Sequence, residues 1–402
     1  MSKPLEGIKV VEVAMWMFAP ACAAILADLG ADVIKIEHPE GGGDPQRHIS
    51  NRLMLAGGPA AFTEIANHGK RSIGLNVGHE LARPALARLI AECDVFITNF
   101  LPPARRRLHI DEDDVRAINP NVIYARASGM GPTGPEADDG GYDLAAGWGR
   151  GGTAFKLTPE GGEPPMMPAS FYDLTGAMVL AGGIGMALLR RERTGEAGSV
   201  DASLLNTGMW PLGPDTVMAP WMDLKVRSDD RREPGNPTVN WYRTKDARWV
   251  YLVHLQSDRW WPELCERIGR PDLIDDEQFA SHELRVENQR ACVAVLDEVF
   301  ATRTLEEWKR ALRGSDGVWA PIQKPAELHD DPMVNANGYL PELTDQAGTK
   351  FRMVAPPFQF DGQPYTFESP APEAGQHTEE ILLELGIEWD DIAAGKEAGA
   401  FQ

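Results

Sequence analysis

Ile8-Lys-Val-Val-Glu-Val13 begins the stretch of sequence that decides the fold, and Asp32-Val-Ile-Lys-Ile36 completes it. Both segments are rich in β-branched residues, which favour strands. Residues 20–29 between them follow a helical pattern, and Gly30 is positioned to end that helix. A strand, a helix and a second strand predict a βαβ unit, and such units build parallel sheets.

The alternation of strands and helices continues beyond this unit. Residues 71–75, 94–98 and 122–127 have strand-like composition, with helical patterns between them. This order predicts an α/β fold with a Rossmann-like parallel sheet and helices on both of its faces. The turn after the first strand, residues 14–19, contains no glycine, so it is neither a dinucleotide fingerprint nor a P-loop. A dehydrogenase is therefore disfavoured.

Composition divides the chain into three parts. Residues 227–237 are rich in Arg, Asp, Gly and Pro, which indicates a linker. We therefore expect a large domain over residues 1–226 and a smaller α+β domain over residues 227–330. Residues 331–402 are expected to return to the large domain.

A long apolar helix is predicted over residues 172–193, after loops that span residues 129–167. Its central part is apolar on nearly every side, which indicates burial on all faces. Small residues such as Gly176, Gly182 and Gly185 would let neighbouring backbone approach it closely.

Length and charge exclude several classes of protein. The chain has 402 residues and a formal net charge of -21, which makes a nucleic-acid partner a poor expectation. The longest apolar run is shorter than the roughly 20 residues of a membrane helix, so no membrane partner is expected. The four cysteines form no CxxC pair, and the first residues do not resemble a secretory signal. We expect buried free thiols and a cytoplasmic location.

An anionic ligand would need local basic groups in such an acidic chain. The candidates are Lys70-Arg71 and Arg105-Arg106-Arg107. A solvated surface is the alternative interpretation of either cluster.

The positions of the histidines limit the catalytic mechanisms that are possible. None of them lies between residues 110 and 253. No metal-binding histidine motif and no G-x-S-x-G motif occurs, so a zinc or serine hydrolase lacks support. Asp173 is placed where a loop becomes the long apolar helix. The positive helix end and its free N–H groups would favour the ionised carboxylate, which could then act as a nucleophile. The alternative is that Asp173 only caps the helix.

Several motifs in order resemble class III coenzyme-A transferases. They include Leu29-Gly-Ala-Asp-Val-Ile-Lys-Ile-Glu37, Gly141-Tyr-Asp143, Asp173-Leu-Thr-Gly176 and Arg193-Thr-Gly-Glu-Ala-Gly-Ser199. The resemblance covers almost the whole chain. It implies an interlocked homodimer and a transferase that moves coenzyme A between an acyl-CoA and a carboxylic acid. Coenzyme A would be a substrate, and no tightly bound cofactor or metal is expected.

The resemblance also implies roles for individual residues. Asp173 matches the aspartate that forms covalent anhydride and thioester intermediates. The positions that match contacts to coenzyme A are Met17, Phe18, His38, Leu75, Asn76, Asn99, Phe100, Arg107, Leu108 and Tyr142. Formyl-CoA transferase, a member of the family, has a glutamine at the position of Met17 and an arginine at that of His38. Formyl or oxalyl specificity is therefore not expected.

Two other functions remain open at this point. An α-methylacyl-CoA racemase resembles the same span but needs a histidine where this chain has Tyr142. A non-catalytic protein that binds coenzyme A would need no nucleophile. For the acyl group, Arg150 is a candidate to hold the distal carboxylate of a dicarboxylic acid. Trp148, together with Met166 and Met167, is a candidate to line an apolar site instead.

Overall fold

The computed structural model describes residues 3–53, 58–221 and 230–402. The chain divides into two compact units. One comprises Met1–Lys156, Pro165–Val226 and Met333–Gln402, and the other comprises Leu157–Pro164 and Arg227–Pro332. The predicted domain junction at residues 226 and 227 lies outside the described residues.

The first unit contains a six-stranded sheet in which every neighbouring pair is parallel. Its strands are β1 (Lys9–Val13), β2 (Asp32–Glu37), β3 (Arg71–Gly74), β4 (Val95–Thr98), β5 (Ile123–Ser128) and β6 (Ser199–Ser203). The order across the sheet is β3-β2-β1-β4-β5-β6. This order reverses between β1 and β4, and open α/β sheets bind ligands outside the carboxyl ends of the strands at such a point. The predicted α/β fold with a parallel sheet is confirmed.

Ten α-helices accompany these strands in the described ranges up to residue 221. They are α1 (Phe18–Asp28), α2 (Pro45–Leu53), α3 (Ala61–Asn67), α4 (Arg83–Glu92), α5 (Pro102–Leu108), α6 (Glu112–Ile118), α7 (Thr153–Lys156), α8 (Phe171–Thr194), α9 (Leu204–Met209) and α10 (Gly213–Met218). A π-helix, Leu144–Arg150, lies where the sequence predicted a loop. Gly30 follows the last residues of α1 with φ 101°, as predicted for a helix stop.

Close packing of α8 against α1 depends on a glycine. A Cβ atom on Gly176 would lie 2.7 Å from Cε2 of Phe18, so the bare backbone makes room for that ring. Gly182 and Gly185 have no neighbour within 4 Å of such an atom, and the prediction of close approach is wrong there. The prediction that α8 is buried on all faces is also wrong, since Val179 is 55% exposed and Met186 is 67% exposed.

By length and composition alone, α8 is the one helix in the described ranges that could cross a membrane, and core helices of soluble proteins pass the same test.

The second unit has a three-stranded antiparallel sheet and four α-helices in the part of it that is described. Its elements are β7 (Val239–Arg243), β8 (Trp249–Val253), α11 (Ser257–Ile268), α12 (His282–Glu287), α13 (Gln289–Phe300), α14 (Leu305–Ala311) and β9 (Trp319–Pro321). Its core is rich in aromatic residues, which include Tyr242, Trp261, Phe300 and Trp308.

The C-terminal part of the chain contributes to the core of the first unit. Its elements are α15 (Pro332–Asn337), β10 (Glu342–Thr344), β11 (Lys350–Arg352), α16 (Thr378–Glu384) and α17 (Trp389–Glu397). Ile381, Ile392 and Phe401 are buried in the same cluster as Phe96 of β4. Phe401 also pairs with Leu75, directly after β3. All four cysteines are free and buried, as the sequence predicted.

Candidate active site

Two neighbouring cavities lie at the carboxyl ends of β1 and β4, where the strand order reverses. One has a volume of about 430 Å³ and the other about 350 Å³. Met15, Phe100, Arg107 and Leu108 line both of them, so the cavities adjoin. Together they can hold an elongated ligand that follows the edge of the sheet.

The loop after β1 is held from two sides at the edge of the first cavity. Asn99 accepts a hydrogen bond from the Met15 N–H at 3.1 Å and donates one to the Met15 carbonyl at 2.7 Å. Oδ1 of Asp44 accepts the Trp16 N–H at 3.0 Å. Trp16 has φ 70°, a strained value for a non-glycine residue. Its ring meets that of Tyr142 edge-on, with centroids 5.8 Å apart.

Asp173 lines the first cavity from the first turn of α8. Ser170 is the N-cap residue, and Asp173 is the third residue of the helix, so the alternative that Asp173 only caps the helix is not supported. Burial, and after it the charge of Asp143, raises the pKa of Asp173 to about 7. The expectation that the helix end would favour the ionised form is therefore wrong, because burial and a second carboxylate outweigh the helix end.

Asp143 is the second carboxylate, and the sequence analysis did not single it out as a site residue. Its side chain is the N-cap of the π-helix, and Oδ1 accepts the Leu144 N–H at 2.8 Å. Oδ2 is buried and has no hydrogen-bond partner among the residues that the structure describes. Burial raises the pKa of Asp143 as well. Its place in the Gly141-Tyr-Asp143 motif was the signal that could have indicated it.

Most of the residues proposed from the resemblance lie on the two cavities. Those on the first are Phe18, Asn99, Phe100, Arg107, Leu108, Tyr142 and Asp173. Those on the second are His38, Leu75, Asn76, Phe100, Arg107 and Leu108. The structure thus brings ten of the thirteen predicted site residues to the two cavities at one edge of the sheet.

Three of the proposed residues line neither cavity. Met17 is 1% exposed and packs in the hydrophobic core, so its side chain is not placed to contact coenzyme A. Nε1 of Trp148 donates to the Pro165 carbonyl at 3.1 Å, and Arg150 forms an ion pair with Glu136. The expected use of Arg150 to hold a distal carboxylate is not supported by this placement.

Basic groups near the cavities differ in what they bind. Nε of Arg105 pairs with Asp111 at 2.9 Å, and Arg106 lies 3.6 Å from Asp138. Within the described ranges Arg107 has no carboxylate partner, and it is exposed at both cavities. Arg107 is therefore the member of this cluster that is available for an anionic ligand.

The other basic candidates, Lys70 and Arg71, serve the fold. Lys70 is fully buried and binds Oε2 of Glu12 at 2.6 Å. Oε1 of the same carboxylate binds Lys35 at 2.7 Å, and Lys35 also binds Oδ2 of Asp44 at 3.0 Å. Arg71 pairs with Asp32 at 2.7 Å. The buried charge cluster Glu12–Lys35–Lys70–Asp44 thus lies behind the loop that carries Trp16.

Comparisons with known proteins identify the family. The family model described as CoA-transferase family III matches residues 5–378. The chain is 31% identical over 388 residues to (R)-2-hydroxy-4-methylpentanoate CoA-transferase of Clostridioides difficile, with 96% of this chain and 97% of that protein covered. It is 30% identical over 391 residues to cinnamoyl-CoA:phenyllactate CoA-transferase of Clostridium sporogenes, with 96% and 94% covered.

A solved structure that is similar in fold and in sequence supports the same family. The crystal structure of a CAIB/BAIF family protein from Brucella suis matches with a TM-score of 0.83 and 30% identity, over 96% of this chain and 100% of that one. The chain belongs to CoA-transferase family III. It is a CoA-transferase, and enzymes of this kind use CoA thioesters as substrates.

Proposed function

We propose that the enzyme transfers coenzyme A through covalent intermediates on Asp173. The observation that carries this proposal is which carboxylates on the first cavity have a hydrogen-bond or ion-pair partner. Asp201 is engaged by Arg126 in an ion pair, whereas Asp173 has no ion-pair or hydrogen-bond partner among the described residues. An unpaired carboxylate in a cavity is free to act as a nucleophile.

The reaction has four covalent steps. The Asp173 carboxylate attacks the thioester carbonyl of the donor, the C–S bond breaks, and a mixed anhydride and the CoA thiolate form. The thiolate then attacks the Asp173 carbonyl, which releases the donor acid and leaves an aspartyl-CoA thioester. The acceptor carboxylate attacks this thioester, and the returning thiolate then attacks the acyl carbon, which frees Asp173. Together these steps replace one difficult exchange of coenzyme A between two acids by a series of easier acyl transfers.

The two adjoining cavities support a proposed binding mode in which coenzyme A occupies both of them. The thioester lies in the first cavity beside Asp173, and the nucleotide lies in the second, beside His38 and Asn76. Arg107, at the junction, faces the phosphates as a charged donor. Phe100, also at the junction, offers an apolar surface to the ligand.

The lining near Asp173 supports an apolar acyl group. Trp16, Phe18 and Tyr142 present aromatic surface to the first cavity. The two relatives compared above are named for acids that carry a branched alkyl or an aryl group. Arg150, which a dicarboxylic acid would need under the earlier expectation, is held by Glu136.

The covalent route is tested by trapping. The protein is incubated separately with 4-methylpentanoyl-CoA, cinnamoyl-CoA and succinyl-CoA, quenched with hydroxylamine or borohydride, digested and analysed by mass spectrometry. We expect a hydroxamate or a reduced side chain at Asp173, because both intermediates are reactive acyl derivatives of that carboxyl group. Transfer activity without any modification at Asp173 would reject the covalent route.

We also propose that the enzyme is a homodimer, interlocked as the family resemblance implies. Apolar side chains remain exposed on α8 and close to α10, including Met186 at 67%, Val217 at 64% and Trp210 at 82%. Exposed apolar surface of this extent is typical of an interface. Light scattering in detergent-free buffer is expected to give the mass of two chains. A mass of one chain would contradict the proposal, as would a protein that dissolves only with detergent.

A further inference from the structure

Asp143 holds a buried carboxylate oxygen that the fold leaves unused. Its side chain is 7% exposed, and Oδ1 satisfies the N–H of Leu144 at the start of the π-helix. Oδ2 has no donor within the described residues. Asparagine would cap the same helix without a buried charge, so capping alone does not account for an aspartate. A buried carboxylate oxygen without a hydrogen-bond partner calls for a functional reason.

The π-helix packs directly on the first turn of α8. A Cβ atom on Gly147 would lie 2.7 Å from Cγ of Tyr172, the residue before Asp173. This contact brings the start of the π-helix to the start of α8. Gly141 and Tyr142, which precede Asp143, line the same cavity as Asp173. Asp143 therefore lies close to the start of α8 and next to the cavity, although it does not line the cavity itself.

Two of the other charged groups on this cavity, Arg105 and Arg126, are already held by carboxylates, and Arg107 is left for an anionic ligand. Arg126 binds Asp201 and Glu112, and Arg105 binds Asp111. Besides burial, Asp143 is the group whose charge raises the pKa of Asp173. The full set of such groups that line the cavity with Asp173 is Arg105, Arg107, Arg126, Tyr142 and Asp201.

We propose that Asp143 is a positioning residue whose buried carboxylate destabilises the free, ionised form of Asp173 and so favours its acylation. The inference rests on the proposed covalent role of Asp173. When Asp173 attacks the thioester, an O–C bond forms, the C–S bond breaks, and the electron pair leaves with the CoA thiolate. The negative charge thereby moves from Asp173 to sulfur. Repulsion between the two carboxylates is present before this step and absent after it.

The pH dependence of the rate tests this role. Asp143→Asn keeps an oxygen for the Leu144 N–H and removes the charge. We expect the acidic limb of kcat to move to lower pH, because Asp173 is then easier to ionise. At pH 8.5 we expect kcat to fall about tenfold, with KM for the acyl-CoA within about twofold, because the lost interaction acts on the reacting carboxylate. An unchanged limb and an unchanged kcat would overturn the proposal.

A matched control uses another buried acid. Glu64 is 4% exposed, and burial raises its pKa too, but it accepts the Ala371 N–H at 2.9 Å and lines neither cavity. Glu64→Gln should leave the pH profile in place. A shift of the same size in this variant would reject a specific role for Asp143.

Asp143→Ser provides a second test if Asp143→Asn does not fold, because serine also caps a helix and carries no charge. We expect the rate of donor-acid release in a single turnover to keep its acidic limb near pH 7 in the wild type and to have it at lower pH in Asp143→Ser. A limb at the same pH in both proteins would overturn the proposal. Failure of the covalent route itself is recognised separately, by activity without any trapped adduct at Asp173.

Discussion

Asp173→Asn and Asp173→Ala are expected to lower kcat at least about 1000-fold, because both variants lack the oxygen that forms the covalent bond in the proposed mechanism. Alanine is included since asparagine at this position can revert to aspartate by deamidation. The measurement is the steady-state transfer rate, with the trapping experiment run in parallel. We expect no adduct in either variant. A residual rate above a tenth of the wild-type value would contradict the assignment.

Asp390→Asn is the matched control. Asp390 also lies in the first turn of a helix, α17, but it is exposed and lines neither cavity. The activity of the Asp390→Asn variant should equal that of the wild type. Asp173→Asn should also be more stable than the wild type at neutral and higher pH. The folded-state pKa of Asp173 is about 7, above the ordinary value, so the native state of the wild type loses stability as the pH rises from about 4 to about 7 and the carboxyl group ionises. The variant should therefore have a higher Tm at pH 8, and the gain should vanish near pH 4.

Glu12→Gln is expected to lower the free energy of unfolding by about 3–5 kcal/mol, because it leaves two buried ammonium groups without their shared carboxylate. Denaturant unfolding at pH 7 measures this loss. Burial already lowers the pKa of Lys70 to about 8. In the folded variant, which lacks the Glu12 carboxylate, we expect the Lys70 side chain to be an uncharged amine. The loss should be smaller at pH 9, where the unfolded chain gives up that proton at lower cost.

Glu92→Gln is the control for this prediction. Glu92 binds Lys9 at 2.7 Å, but both side chains are about half exposed, so the pair contributes about 0–1 kcal/mol. A loss in Glu12→Gln no larger than that of Glu92→Gln would show that the buried charge cluster is dispensable for stability.

The fold was largely predictable because its signals are local. Strand composition and the stop at Gly30 sufficed for the βαβ unit that starts the sheet. The last strand, β6, was not predicted: Ser199–Ser203 contains two serines and an aspartate, and it is a strand because it pairs with β5. The π-helix was hidden in the same way by the glycines of Leu144–Arg150, whose conformation depends on packing against Tyr172 and Gly208.

The site was predictable in its residues but less so in its chemistry. Met15, Trp16 and Met17 are consecutive after β1, and sequence does not reveal that the first two face the cavity while Met17 faces the core. For Asp173, the helix end is visible in the sequence, whereas burial and the charge of Asp143 arise from tertiary structure. The larger influences on the pKa of Asp173 are therefore the ones that local sequence does not show.

The pairing of Leu75 with Phe401 has a consequence for biosynthesis. Leu75 and Asn76 line the second cavity, and the Asn76 N–H donates to the Ala400 carbonyl at 2.9 Å. During translation, β1 to β6 emerge from the ribosome long before these partners do. The backbone of the loop after β3 can therefore be fully paired only after residues 400 and 401 have been made, and a nascent chain released earlier would lack these contacts beside the second cavity.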